Sequence, residues 1–188
     1  MFTPLVAQPA QLGALPAIGE LSGVARGAVA FLLVLVAEAL LLSRRAAVVD
    51  RAVDRTADGS PSAVVYGGIA FGLVAFVGGY LFTQAGRLGV GGDAVRLAGG
   101  LLVAGAVLTL GSFGYLVVGA YLTEIESVRR PWVGAVIGAS LSAVPWVALS
   151  TLSALSVWVA VAAVGVGEET RNWVHGERTV ESEAAERR

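Results

Sequence analysis

From residue 131 to residue 167 the chain runs for 37 residues without a charged side chain. As one α-helix, at 1.5 Å per residue, that stretch would be about 55 Å long, against a bilayer hydrocarbon core of about 30 Å. One straight span cannot use it. A soluble fold cannot hide it either. Hydrophobic residues make up 56% of the chain and charged residues only 14%, with 25 glycines besides. A soluble domain carries about 25% charged residues and needs them to cover its surface. The partner this composition implies is a lipid bilayer.

A break in the long stretch is readable. Pro145 lacks an amide and disfavours helix at Val144, the residue before it. Ser140 and Ser142 can satisfy backbone groups freed at such a break, as a break inside the membrane requires. This predicts a short, re-entrant arm over 132–143 and a full span over 146–166. The alternative is one long, tilted, Pro-kinked helix. Three further spans precede it: residues 21–42, 63–85 and 97–122. The expected fold is therefore an all-α polytopic bundle, three full spans plus a Pro-broken helical hairpin. Residues 1–20 read as an outer interfacial segment without the basic start of a secretory signal. Residues 21–167 form the transmembrane domain, and 168–188 form a charged cytoplasmic tail.

Arginines decide between hairpin and single crossing. All 13 basic residues are Arg. The loop over 43–62 holds Arg44, Arg45, Arg51 and Arg55, and the loop over 86–96 holds Arg87 and Arg96. Arg129 and Arg130 precede the long stretch, and Arg171, Arg178, Arg187 and Arg188 follow it. A single crossing divides these six against six, and a hairpin divides them ten against two. Arginine bias sets orientation, so the hairpin predicts an outside N-terminus and a cytoplasmic tail in the cell membrane.

The residues that could carry chemistry are few. Glu38 is the acid well inside a span, and intramembrane acids mark functional candidates. It lies four residues, about 6 Å, from Leu42 at the expected helix end, so snorkelling or pairing with Arg44 or Arg45 explains it equally well. Arg26, one turn into the first span, can snorkel on its long stem. Gly68-xxx-Gly72 and Gly134-xxx-Gly138 are small-xxx-small motifs, and Gly111, Tyr115 and Gly119 share a stripe. Such glycines let helices approach closely, within one bundle or between copies. The serines of the long stretch either line a polar path or bond carbonyls of their own helix. Val48, Val49, Ala52 and Val53 give residues 44–58 an amphipathic face, either a connector or a docking helix for a cytoplasmic partner. Asp93 reads as an N-cap.

Several classes are excluded. The chain has no Cys and one His, His175. No thiolate site, Ser-His-Asp set, phosphate loop or dinucleotide fingerprint can be built, and no cofactor or metal is implied. The net charge of −1 leaves no basic patch for nucleic acid. Arg without Lys, with much Ala, Val and Gly, is similar to chains of halophilic archaea.

The pattern as a whole also resembles a known one. A helix runs into Arg-Arg…Val-Asp-Arg-Ala-Val-Asp-Arg, followed by a Gly-rich span. Later come Arg129-Arg130-Pro131-Trp132-Val133-Gly134, a Pro-broken hairpin and Val164-Gly165-Val166-Gly167. This resembles the small polytopic membrane domain that accompanies bactofilin-like polymer-forming proteins of halophilic archaea. The resemblance implies a membrane anchor or scaffold and carries no functional residues over. The expected function is non-enzymatic anchoring or scaffolding, with a cytoplasmic partner or a homo-oligomer. The alternative is a small transporter or channel subunit with a re-entrant hairpin.

Overall fold

The structure, a computed structural model, describes residues 20–57, 61–87, 92–124 and 130–186. Five helices follow one another: α1 (Gly23–Ala57), α2 (Ala63–Arg87), α3 (Asp93–Leu122), α4 (Pro131–Ala148) and α5 (Thr151–Glu186). No strand occurs among the described residues. Each helix contains a segment long and apolar enough to cross a membrane. The protein is an all-α, multi-pass membrane bundle. Residues 1–19, expected to form the outer interfacial segment, lie outside the described residues.

Local chemistry fixes the helix ends. Ser22 caps α1, its hydroxyl accepting the Ala25 amide at 3.2 Å. The Ser62 carbonyl accepts the Val65 and Tyr66 amides at the start of α2. Gly92 rather than Asp93 caps α3, and Asp93 is instead the first helical residue. Its charge still favours that end, through the helix dipole. Pro131 opens α4, where its missing amide costs nothing. The backbone of α5 stays helical to Glu186, well beyond Trp173, because Glu, Ala and Arg dominate there.

The hairpin turns four residues later than Pro145. α4 runs unbroken through Ser140, Ser142 and Pro145 and stops at Leu149, whose φ of −117° and ψ of 164° are extended. Ser150 then starts α5, its carbonyl accepting the Ala154 amide at 2.8 Å and its hydroxyl meeting that of Ser153 at 3.0 Å. A proline removes one helical hydrogen bond, which a membrane helix tolerates, so α4 passes through Pro145 and ends where Leu149 turns extended. The first arm is consequently 18 residues long, or about 27 Å, enough to reach across a bilayer. It is long and apolar enough for a fifth crossing, longer than the expected arm of 132–143, and the second arm starts at Thr151 rather than 146.

Close approaches define the directions of the helices. Gly23 and Gly27 of α1 lie against Val147 and Ala143 of α4. Gly119 meets Gly134 and Gly138, and Gly138 meets the Tyr115 carbonyl. α4 is therefore antiparallel to both α1 and α3. Gly67 abuts Ala163 and Gly167 abuts Ala63, which makes α2 and α5 antiparallel. Gly111 faces Trp158, and Gly114 faces Ala162 and Gly165, which makes α3 and α5 parallel. The five helices thus alternate in direction. The tail after Glu168 emerges at the same end as the 43–62 connection. Contacts at that end agree, since Arg55 pairs with Glu169 and the Tyr66 hydroxyl lies 2.7 Å from His175 Nε2.

The core centres on α3, where Tyr115, Leu116 and Val117 are fully buried. The Tyr115 hydroxyl donates to the Trp158 carbonyl at 3.3 Å, and Phe71 meets the Trp158 ring edge-on. α1 has a non-helical residue at Arg45 (φ −141°, ψ 30°). Beyond it, Val49, Ala52 and Val53 bury against Leu116, Val117 and Ala120 of α3 and Ala135 of α4. The amphipathic face is covered by the bundle itself.

Neighbouring glycines on α2 provide a test. A Cβ on Gly67 would strike the Ala163 backbone, whereas one on Gly68 meets nothing within 4 Å. Gly67→Ala should lower stability by about 1–3 kcal/mol, the usual cost of overpacking. Gly68→Ala should be neutral or slightly stabilising, because alanine favours helix. Thermal unfolding of both variants in detergent checks this.

Candidate functional site

Three polar groups lie fully buried in the apolar interior: Glu38, Ser112 and Ser142. Glu38 sits where α1, α3 and α4 meet, because its Oε1 occupies the space beside Gly138, which itself touches the Tyr115 carbonyl. Only glycine at 138 leaves room for the carboxyl. α1 does not end at Leu42 but continues to the break at Arg45, so Glu38 is too deep in the bundle to reach water. Neither carboxyl oxygen has a hydrogen-bond partner among the described residues. Arg44 and Arg45 are exposed and do not pair with it. Ser112 and Ser142 lie one turn away on the facing α3 and α4. The Ser112 hydroxyl is also without a partner, whereas Ser142 donates to the Ala139 carbonyl at 2.7 Å.

Ser140 and Ser156 turn back on their own helices. Ser140 donates to Val136 at 2.7 Å and Ser156 to Leu152 at 3.0 Å. Their bonds are local, as in ordinary membrane helices. Pro145 is buried within α4 and forms no part of the turn.

A second polar site lies at the opposite end of the bundle from the tail. Arg26 does not simply snorkel. Its Nη1 donates across the bundle to the Thr151 hydroxyl at 3.0 Å, tying α1 to the start of α5. Its Nε is buried without a partner, as is the indole Nε1 of Trp146. Both residues border a cleft of about 280 Å³ whose walls are otherwise apolar. Trp146, Thr151 and Ser112 carry no sequence motif. Their roles depend on which helices become neighbours, and an indole or hydroxyl in an apolar run gives no sign of that.

The glycines divide into two sets. Gly111, Gly119, Gly134 and Gly138 lie at contacts between helices within the bundle. Gly68 and Gly72 face outward and meet nothing within 4 Å. No cluster of three or more potential metal ligands occurs among the described residues.

An orphaned buried polar group costs roughly 1–3 kcal/mol. Glu38→Leu should therefore raise stability by about that much, read as a higher unfolding temperature in detergent. Glu38→Lys should abolish a monodisperse fold, since a longer cation cannot be accommodated beside Gly138.

Comparison with known protein families, curated proteins and solved structures finds no match to this chain.

Proposed function

We propose that the protein is a non-enzymatic anchor or scaffold of the cell membrane that self-associates through the outward face of α2. The observation that carries this reading is a seam of small residues. Gly68, Gly72, Ala75, Gly79, Thr83 and Gly86 recur at spacings of three and four, and all are exposed. No other helix comes within 4 Å of where a side chain would stand on these four glycines. The seam covers about five turns of one helical face. Within lipid there is no hydrophobic drive between helices, so close backbone packing along such a seam is what holds them together. Phe76 and Tyr80 stack beside it, with centroids 6.4 Å apart, and form a raised edge for a partner helix to rest against.

The ten-against-two arginine bias supports a cytoplasmic position for the end bearing Arg44, Arg45, Arg51, Arg55 and the tail. The apolar side of the 46–57 arm is occupied within the bundle, so a cytoplasmic partner would meet its charged side. A polymer-forming protein, as the family resemblance implies, is one such partner. The orphaned Glu38 is the one observation favouring a transporter or channel subunit, but it does not line the cleft beside Arg26 or the two clefts along α2.

The native chain has no Cys, so single-cysteine cross-linking in liposomes tests the seam cleanly. Gly72→Cys and Gly79→Cys should form disulfide dimers, and Ile69→Cys and Leu73→Cys should form far fewer. Adding Gly68→Leu should abolish the dimers formed at position 79. Monomers alone at every seam position, or equal cross-linking around α2, would overturn the proposal.

A further inference from the structure

The last turns of α2 and the first turns of α3 enclose a cleft of about 680 Å³. That lies within the usual range of ligand sites, about 300–1,000 Å³. Its walls are Leu81 and Phe82 of α2 and Ala98, Gly99, Leu102 and Val103 of α3, all apolar. Small residues keep it open. A Cβ on Gly99 would meet only Phe82, at 3.6 Å, and one on Gly86 would meet nothing within 4 Å. Arg96 lines the same cleft. Its side chain is 63% exposed, so its donors face open space and not the bundle interior. The carboxylate beside it, Asp93, is 4.0 Å away and fully exposed, a pair worth little. No acidic side chain lines the cleft. Thr83 borders both this cleft and the neighbouring groove that Arg87 lines. Arg87 makes no ion pair among the described residues. Both arginines thus stand at one end of an apolar cleft, opposite the arginine-rich arm and tail. From Arg96 to Val103 the cleft descends seven residues, or about 10 Å, within a leaflet of about 15 Å. A guanidinium fork suits phosphate oxygens, and an acyl chain suits the walls below it. A second copy in the same membrane orientation offers few acids at this end, Glu20 and Asp93. A phospholipid brings the charge and the chain together.

We propose that this cleft seats one anionic phospholipid, its phosphate accepting from Arg96 and one acyl chain lying between α2 and α3. Charge selects the lipid, because a zwitterionic headgroup brings a cation to a site that already has two arginines at its mouth. The seated chain fills the gap between α2 and α3 near their connection. The inference rests on the membrane-spanning fold and not on self-association along α2.

Photo-cross-linking tests this in the full chain. The protein is reconstituted in phosphatidylcholine vesicles containing an equal fraction of phosphatidylglycerol or of phosphatidylcholine that carries a diazirine in its acyl chain. Labelled peptides are mapped after illumination. The anionic probe should label residues 78–86 and 98–103 about five-fold more than the zwitterionic probe, the enrichment expected from one arginine near a membrane surface. Val136 and Val144, exposed on α4, should be labelled equally by both. Arg96→Gln should bring the two probes level in the cleft. Gly99→Leu, which fills it, should reduce labelling there by both probes, and it carries the test if Arg96→Gln does not fold. Excess glycerol phosphate, a headgroup without a chain, should displace nothing. Equal labelling of the cleft by the two probes would overturn the proposal. So would a preference that survives Arg96→Gln, or displacement by glycerol phosphate. Labelling lost in Gly68→Leu, the variant that disrupts the α2 seam, would also overturn it, because a second copy would then build the site.

Discussion

A bilayer core offers no hydrogen-bond partner to a bare amide or carbonyl, and it is only about 30 Å deep. The rest of this fold depends on how the 37-residue uncharged stretch meets that constraint. It turns back at Leu149 and Ser150, between the end of α4 and the start of α5. The turn makes α4 and α5 antiparallel. α4 can then lie against α1 and α3 together, and α5 against α2 and α3. Both arrangements rely on glycines, at 23, 27, 119, 134 and 138 for α4 and at 67, 111, 114, 165 and 167 for α5. Without the turn, α5 would have no antiparallel contact with α2, and Arg55 could not reach Glu169.

Much of this was legible from residue patterns, for identifiable reasons. That the chain is an all-α bundle of apolar helices follows from the lengths of its apolar runs, a property of composition along the chain. The position of the turn was not legible in the same way. Pro145 is the more conspicuous breaker, but a helix in a membrane tolerates the loss of one hydrogen bond, and α4 continues through it. The chain turns instead at Leu149 and Ser150, where no proline or glycine marks it. The glycines show a similar limit. Spacing marks Gly68, Gly72, Gly134 and Gly138 alike as packing residues. Only the neighbouring helices reveal that the α4 pair is used within the bundle while the α2 pair is left open.

The polar residues were the least legible. Glu38 reads as lying near a helix end because hydrophobicity falls after Leu42. In the fold, α1 continues, and Val49, Ala52 and Val53 cap the core beneath it. That closure seals Glu38 inside and ties its fate to Gly138. Arg26 gains its meaning from Thr151 and Trp146, more than a hundred residues away. The three features point to different interactions. The open seam of α2 offers a surface for another helix, the Arg26–Thr151 bond ties α1 to α5, and the charged end offers a face to the aqueous side. All suit the anchor or scaffold role proposed above.

The central claim is that the chain turns back at Leu149 and Ser150, so that the tail and the 43–62 connection share one side. Single-cysteine accessibility measures this most directly. Arg51→Cys and Asn172→Cys mark one end of the bundle, and Gly92→Cys and Ser150→Cys mark the other. Each is treated in intact cells with a membrane-impermeant maleimide and again after permeabilisation. The account predicts that positions 92 and 150 react in intact cells, and that 51 and 172 react only after permeabilisation. Opposite behaviour of 51 and 172 would contradict the hairpin and leave a single kinked crossing.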